Sequence, residues 1–161
     1  MNDQEVINYW KGLCFGCSTT NEHGLKLRFW FSEKGCYTRC TIPDYLRGIG
    51  GLAHGGMIYL LMDEVCEWTV ISRLGRFGVT REMTIRYFNP VAVNTEIIVE
   101  AQVVSHDVRN ADMRATVHSL EGKLMAESNS KWMFPSLSSL AKIGKVDEAM
   151  LSEFMTHYPQ V

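Results

Sequence analysis

The sequence lacks an excess of positive charge. Its 161 residues include 16 Lys and Arg and 18 Asp and Glu, so the net charge is −2. Nucleic-acid-binding domains usually carry a basic patch, and we therefore expect no nucleic-acid partner. No apolar run approaches the ~18 residues that a membrane-spanning helix needs, so no membrane partner is expected either. A few local Arg or Lys residues would still suffice for a small polyanionic ligand.

The sequence also lacks the signatures of several large enzyme classes. It has no P-loop, no dinucleotide-binding fingerprint and no nucleophile elbow, and we expect no cofactor. Residues 1–11 include Asp3 and Glu5 and have no apolar core stretch, unlike a secretory signal. Five cysteines cannot all pair within a closed disulfide framework. These features predict a cytoplasmic protein with reduced thiols.

The composition is ordinary for a globular domain, with 46% hydrophobic and 21% charged residues. The length fits one domain with short appendages, and we expect the core domain over residues 13–135. A short N-terminal helix is predicted within residues 1–12. A C-terminal helical extension is expected over residues 136–161, where Val146, Met150 and Phe154 recur at helical spacing.

Apolar residues alternate along six segments, the period of a half-buried strand. The predicted strands cover residues 25–31, 36–42, 83–87, 97–103, 113–117 and 124–134. Short turns separate neighbouring strands, which favours antiparallel pairing.

Residues 57–74 form an almost uninterrupted apolar run between the second and third predicted strands. Its length predicts a helix that is buried on most sides and ends at Gly75. The expected class is therefore α+β, with an antiparallel sheet wrapped around one long central helix. Such a sheet keeps free edges, which favours a homodimer or a dimer of dimers.

The start of this helix is the best candidate for a functional site. Backbone N–H groups at a helix start are unpaired and can polarise a carbonyl oxygen or bind an anion, and Gly55 and Gly56 leave that end open after His54. Asp63 follows on the same apolar helix, where a carboxylate is costly unless it is paired or used. A tight glycine turn and a capping role for Asp63 would explain the same residues without a function.

Several motifs occur in order along the chain. They are Cys14-Phe15-Gly16-Cys17, Asn21, Gly24-Leu25, His54-Gly55-Gly56, Asp63-Glu64, Gly78-Val79-Thr80 and Tyr87-Phe88-Asn89-Pro90-Val91. Over about residues 13–134 the chain resembles the hotdog-fold acyl-CoA thioesterases of the PaaI-like group. The resemblance implies a hotdog fold and hydrolysis of an acyl-CoA thioester to free acid and CoA.

The resemblance also implies roles for individual residues. The N–H of Gly55, with that of Gly56, would polarise the thioester carbonyl. Asp63, reaching in from the partner subunit, would activate water or attack directly, and Thr80 would orient the water or the carboxylate. His54 would shape the loop and contact the thioester region. Two alternatives are a hotdog enoyl-CoA hydratase or dehydratase and a non-catalytic acyl-CoA-binding protein.

Four further residues are candidates for binding substrate. Adjacent helical residues point about 100° apart, so Asp63 and Glu64 cannot both face Gly55. Glu64 is then a surface or neighbouring group, with a base role as the alternative. Arg81, Arg109 and Arg114 could meet the phosphates of coenzyme A, although a solvated sheet face would also explain them.

The cysteines suggest a zinc site that the predicted strands argue against. Cys14 and Cys17 together with Cys36 and Cys40 would make a four-thiol set. Cys36 and Cys40 lie four residues apart in one predicted strand, about 13 Å along it at ~3.3 Å per residue. Thiolates on one zinc lie ~2.3 Å from the metal. We therefore expect no metal and interpret the thiols as small buried side chains.

Overall fold

A long helix and a seven-stranded sheet form the body of the structure, a computed structural model that describes residues 4–158. The strands are β1 (Glu5–Val6), β2 (Phe29–Phe31), β3 (Gly35–Thr41), β4 (Val79–Tyr87), β5 (Glu96–His106), β6 (Asn110–Ser119) and β7 (Leu124–Met133). The helices are α1 (Gly55–Leu74), α2 (Leu137–Gly144) and α3 (Glu148–Met155), with a short 3₁₀ turn at Asp44–Leu46.

The sheet is antiparallel throughout, in the order β1-β2-β3-β5-β6-β7-β4. Its central pairs are in register at the core, where Val99 lies opposite Val117 and Ala101 opposite Ala115. Every second residue of β5 and β6 is buried here, as expected for strands with one face against the core. The six predicted strands are confirmed, with β4 beginning four residues earlier than its predicted start at residue 83.

Helix α1 packs on the sheet and supplies a large part of the core. Leu61, Met62, Val65 and Cys66 are all at most 1% exposed. The helix ends at Gly75, whose φ of 60° is left-handed and suits a residue without a side chain. The predicted central helix and the α+β class are both confirmed. Although α1 is long, no helix within residues 4–158 is both long and apolar enough to cross a membrane.

The predicted N-terminal helix is wrong for the part of it that the structure describes. Glu5 and Val6 form strand β1 and pair with Trp30 and Phe29 of β2, while residues 7–12 have no helical turn. Val6 is 3% exposed, so this position is fixed by pairing and burial rather than by local helix propensity. Residues 1–3 of the predicted helix lie outside the described residues.

Strand β2 is shorter than predicted, because residues 25–28 serve another partner. The N–H groups of Leu25 and Leu27 donate to the carbonyl oxygens of Phe15 and Gly16. Lys26 between them has a left-handed φ of 53°. The alternating residues therefore hold the Cys14–Cys17 loop instead of extending the sheet.

The C-terminal extension forms two helices rather than one. Ser136 caps α2 and Asp147 caps α3, and Lys145 separates them with a left-handed φ of 51°. Helix α3 docks through Phe154, whose ring stacks on Phe77 at a centroid distance of 5.3 Å and meets Trp68 edge-on at 6.3 Å. The extension thus packs over the side of α1 that carries Trp68. Residues 159–161 lie outside the described residues, and the division into core domain and extensions stays a prediction.

Phe154 should anchor the extension. Its side chain is 4% exposed, and replacing such a residue with alanine usually costs about 3–5 kcal/mol. We expect Phe154→Ala to lower the free energy of unfolding by that amount in chemical denaturation. Ile143→Ala is the control from the same extension, because Ile143 is 79% exposed and should change stability by less than about 0.5 kcal/mol. Equal effects of the two changes would contradict the docking.

Candidate active site

The first part of the candidate site is the start of helix α1. His54 is the N-cap, and its Nδ1 accepts the N–H of Gly56 at 2.9 Å. The imidazole ring therefore caps the start of α1, and Nδ1 carries no proton in this arrangement. The Met57 N–H bonds to the His54 carbonyl at 2.9 Å, whereas the Gly55 N–H has no hydrogen bond within residues 4–158. Gly55 keeps its donor free as predicted, but the N–H of Gly56 is already used.

A cavity of about 280 Å³ lies beside the start of helix α1. The predicted motif that begins at Tyr87 lines it, together with Gly55 and Ile58. The Tyr87 hydroxyl donates to the carbonyl oxygen of Gly55 at 3.0 Å. We had not predicted Tyr87 as a site residue. This hydrogen bond connects the end of strand β4 to the start of α1, and both residues line the cavity.

The second part of the candidate site is Asp63 with Thr80. The Thr80 hydroxyl, near the start of β4, donates to Asp63 Oδ1 at 2.5 Å. Burial raises the pKa of Asp63 above its usual range, the Thr80 hydrogen bond opposes that rise, and the Cys14 sulfur adds to it. A half-buried carboxylate with one fixed donor is a good acceptor for a proton from water. Sequence and structure agree that these two side chains belong together.

The two parts do not meet within one chain. Gly55 and Asp63 are eight residues apart on α1, which is about 12 Å along the axis at ~1.5 Å per residue. A donor and a base that act on one carbonyl group must both lie ~3 Å from the reacting atoms. Within one subunit the two parts of the candidate site are therefore too far apart to act on the same carbonyl group.

Glu64 lies away from the helix start and is half-buried rather than a surface group, and its role in binding substrate stays a prediction. Its carboxylate turns toward the Cys14–Cys17 loop and accepts a hydrogen bond from Cys14 Sγ at 3.0 Å. Burial raises the pKa of Glu64 to about 8, with a further rise from the nearby Cys14 sulfur. The 100° step between neighbouring helical residues explains why it leaves the side of Asp63.

Glu67, one turn after Asp63 and Glu64, is a third carboxyl group that the sequence reasoning did not single out. It accepts the Gly78 N–H through Oε2 at 3.1 Å, and burial raises its pKa well above the usual range. A side chain at Gly78 would come within 2.9 Å of Glu67 Oε2. Glycine is therefore needed for the turn into β4, which places Thr80.

The three arginines predicted for coenzyme A do not form one patch. Arg114 pairs with Glu127 of the neighbouring strand, so its charge is already balanced. Arg109 immediately precedes strand β6. The first residue of β6, Asn110, pairs with Met133 of β7, which also pairs with Val79 at the start of β4. Arg109 therefore lies at the same end of the sheet as the start of β4. Arg81 follows at the irregular step between Thr80 and Glu82. Arg81 and Arg109 are exposed at the sheet end that carries Thr80, whereas Arg114 lies about 17 Å beyond Arg109 at ~3.4 Å per residue.

The thiols are arranged differently from the four-thiol set considered above. Cys36 and Cys40 share strand β3, as predicted, and Cys36 Sγ contacts the Ser72 hydroxyl at 2.9 Å. All five cysteines are free. The possible metal ligands that the structure brings together are Cys14, Cys17 and Glu64, whose donor atoms lie within 4.8 Å of one another. Sequence spacing singled out Cys14 and Cys17 but gave no signal for Glu64, because residue 64 is distant in the chain.

Part of the chain matches one family. Residues 50–126 match the sequence model of the thioesterase superfamily. This segment begins just before His54 and includes Asp63, Thr80 and the motif at Tyr87. The comparison with curated proteins gives no match.

Solved structures share the fold. A hypothetical thioesterase of Streptococcus pneumoniae, solved with coenzyme A, is 19% identical over 68% of this chain and 89% of that chain, with a TM-score of 0.63. The Escherichia coli PaaI protein of the phenylacetic acid degradation operon is 18% identical over 70% and 81%, with a TM-score of 0.64. Zebrafish thioesterase superfamily member 2 is 24% identical over 68% and 82%, with a TM-score of 0.62. The hotdog fold and the resemblance to PaaI-like thioesterases are confirmed.

The hydrogen bond from Thr80 should hold down the pKa of Asp63. Because that bond favours the ionised carboxylate, Thr80→Val should raise the pKa of Asp63 above its value in the unchanged protein. Thr80→Ser keeps the hydroxyl and should stay near that value. The measurement is an NMR titration of the Asp63 carboxyl carbon. An unchanged or lower pKa in Thr80→Val would contradict the contact.

Proposed function

We propose that this hotdog-fold protein, whose residues 50–126 match the thioesterase superfamily, hydrolyses acyl-CoA to a free acid and CoA. The observation that carries the proposal is the half-buried Asp63 carboxylate held by Thr80, in a fold that also leaves the Gly55 N–H free at a helix start. A base and an oxyanion donor are the two groups that thioester hydrolysis needs.

The reaction follows from these groups. The Gly55 N–H, at the positive end of the helix dipole, donates to the thioester carbonyl oxygen and stabilises negative charge on it. Asp63 takes a proton from water as the water oxygen bonds to the carbonyl carbon. The C–S bond then breaks, and the CoA sulfur leaves with the electron pair and takes up the proton that Asp63 had accepted, which restores the carboxylate. Direct attack by Asp63 would give an acyl anhydride that water then cleaves.

The separation of Gly55 and Asp63 supports a site shared between two subunits. Since about 12 Å of helix lies between them, the carbonyl beside Asp63 would be held by the partner's Gly55. Strand β4 is at one end of the sheet order and is an edge. It exposes Val79 and Tyr87, at 39% and 55%, and its free backbone groups can pair with a second copy. We propose a homodimer or a dimer of dimers that uses this edge.

The proposed substrate class is supported by the relative from Streptococcus pneumoniae, which was solved with coenzyme A. Arg81 and Arg109 are the candidates for the phosphates, because both are exposed at the sheet end that carries Thr80. Arg114 is not proposed for this role, since Glu127 already pairs with it. The free thiols fit the reducing cytoplasm that we propose as its location.

Asp63→Asn tests the base. It keeps the size of the side chain but removes the proton acceptor, and losing a general base typically costs ~10²–10⁴ in rate. We expect kcat for a panel of acyl-CoAs to fall by that factor while acyl-CoA affinity changes little. Free-thiol release measures turnover. Glu82→Gln is the matched control, because Glu82 is an exposed carboxylate beside Thr80 in β4.

Other outcomes would each point to a different function. If Glu64→Gln is inactive and Asp63→Asn is active, Glu64 is the base and the proposed roles are wrong. Hydration of an enoyl-CoA without thiol release would identify a hydratase. Binding of acyl-CoA without turnover by the unchanged protein would identify a non-catalytic binding protein.

The shared site is tested by mixing two variants. Gly55→Pro removes the N–H donor at the first helical position, where proline is tolerated. His54 before it is already extended, with φ −64° and ψ 135°, as a residue preceding proline requires. Gly55→Ala keeps the donor and should lose less activity. When inactive Gly55→Pro and Asp63→Asn chains exchange subunits, each mixed dimer regains one complete site, so the mixture should recover about one quarter of the original activity.

Light scattering provides the companion measurement, because the exchange needs a dimer. We expect at least two chains per particle in the unchanged protein. If mixed dimers form and no activity returns, the two groups do not act across subunits. A fully active monomer would also exclude the shared site.

A further inference from the structure

We propose that Cys14, Cys17 and Glu64 form a binding site for a thiophilic divalent metal ion, with Zn²⁺ as the probe. The two sulfur atoms and the carboxylate oxygen lie within 4.8 Å of one another. Cys14 Sγ is 3.0 Å from Glu64 Oε1. This site differs from the four-thiol set, because helix α1 supplies a ligand that the strand cysteines cannot.

The loop is built closely around the carboxylate. A side chain at Gly16 would come within 2.2 Å of Glu64 Cδ, so glycine lets the loop close over the carboxylate without displacing it. The backbone of the loop is fixed by the hydrogen bonds from Leu25 to Phe15 and from Leu27 to Gly16, at 2.8 and 2.9 Å. Asn8 Nδ2 also donates to the Cys17 carbonyl at 2.9 Å. With its carbonyl groups held from outside, the loop keeps both sulfurs near Glu64.

The distances suit coordination after a small adjustment. Zinc binds thiolate at ~2.3 Å and carboxylate at ~2.0–2.2 Å, so tetrahedral ligand atoms lie about 3.5–3.8 Å apart. The Cys14–Glu64 pair would open slightly, and Cys17 would move in by at most about 1 Å. Calcium and magnesium prefer all-oxygen sites, whereas two sulfurs with one oxygen select a thiophilic ion.

Three protein ligands leave a fourth coordination position. All three residues line a cavity of about 280 Å³ between α1 and the C-terminal helices, whose other walls include Trp10, Trp68 and Phe154. The cavity gives the ion a path to the site and gives a water or small ligand room at the fourth position. Zinc sites with such an open position are the catalytic kind, whereas structural sites are closed by four protein ligands.

The local charge also favours a cation. Asp63, Glu64 and Glu67 fall within about one turn of α1, close to the two thiols. Within residues 4–158 none of the ion pairs includes any of these three carboxylates. Burying several acidic groups without a counter-charge is unfavourable. A bound divalent ion would supply that charge where thiol and carboxyl now share a hydrogen bond.

The test is a titration of the full chain, reduced and freed of metal by a chelator, with Co²⁺ and then Zn²⁺. We expect a thiolate-to-cobalt charge-transfer band that saturates at about one equivalent per chain, and its loss when Zn²⁺ displaces Co²⁺. Cys14→Ser and Cys17→Ser should each weaken Zn²⁺ binding by at least about 100-fold, since even neighbours of ligands contribute ~10–100-fold. Cys40→Ser is the matched control and should leave binding unchanged.

Several results would overturn the proposal. They are the absence of the band in fully reduced protein, a band that survives both Cys14→Ser and Cys17→Ser, or a band that Cys40→Ser removes. Glu64→Gln preserves the shape of the side chain and tests the site if a cysteine variant fails to fold. It should weaken Zn²⁺ binding by at least about tenfold. Unchanged Zn²⁺ binding would exclude Glu64 as a ligand. Because the readout is spectroscopic, the result does not depend on thioester turnover.

Discussion

Three carboxyl groups lie on the third and fourth turns of a helix that is otherwise almost wholly apolar, and each must find a polar partner inside the fold. Leaving a buried carboxylate without partners costs several kcal/mol. Asp63 meets Thr80, Glu64 meets Cys14, and Glu67 meets the Gly78 backbone. The partners come from two different parts of the chain, so this requirement ties the N-terminal loop and the start of β4 to the same stretch of α1.

The rotation of about 100° per residue gives neighbouring carboxyls different surroundings. Asp63 faces the start of the edge strand, where a second subunit can reach it. Glu64, one residue later, faces the loop that carries Cys14 and Cys17. One helix can thus carry a proposed catalytic base and a proposed metal ligand side by side. Phe154 of α3 then covers the outer side of Trp68, and Trp10 of the N-terminal segment packs on Phe154.

The length of α1 has a second consequence. Its start offers a free backbone donor at Gly55, while its carboxylate base lies about 12 Å further along. A single subunit cannot bring both to one carbonyl group, and the exposed edge strand β4 is a route by which a second subunit can. Catalysis and assembly are therefore linked in the proposed function. The Gly55 N–H and the Asp63 carboxylate are too far apart in one chain, so a second subunit must supply one of them.

Much of the fold could be predicted from the sequence, because hydrophobic periodicity over a long segment indicates whether it is a helix or a strand. The apolar run at residues 57–74 and the alternating strands after it were correctly predicted. Thr80 contacts Asp63, as the family resemblance implied, while the catalytic roles of the two residues stay a prediction. The short segment at Glu5–Val6 was predicted as a helix, because its strand conformation depends on distant Trp30 and Phe29. The alternating residues at Leu25 and Leu27 were predicted to extend a strand, but they bond to a loop ten residues earlier.

Hydrophobic periodicity is a local property of the chain, and it was enough to predict a carboxylate-bearing helix at the core of an antiparallel sheet. Contacts between distant parts of the chain set the direction of Glu64, leave the Gly55 N–H free at the helix start, and pair Arg114 with Glu127. Helical geometry fixes the angle between Asp63 and Glu64 but not the direction of either. That direction depends on what packs against α1, and the partners of Glu64 lie about fifty residues away in the sequence.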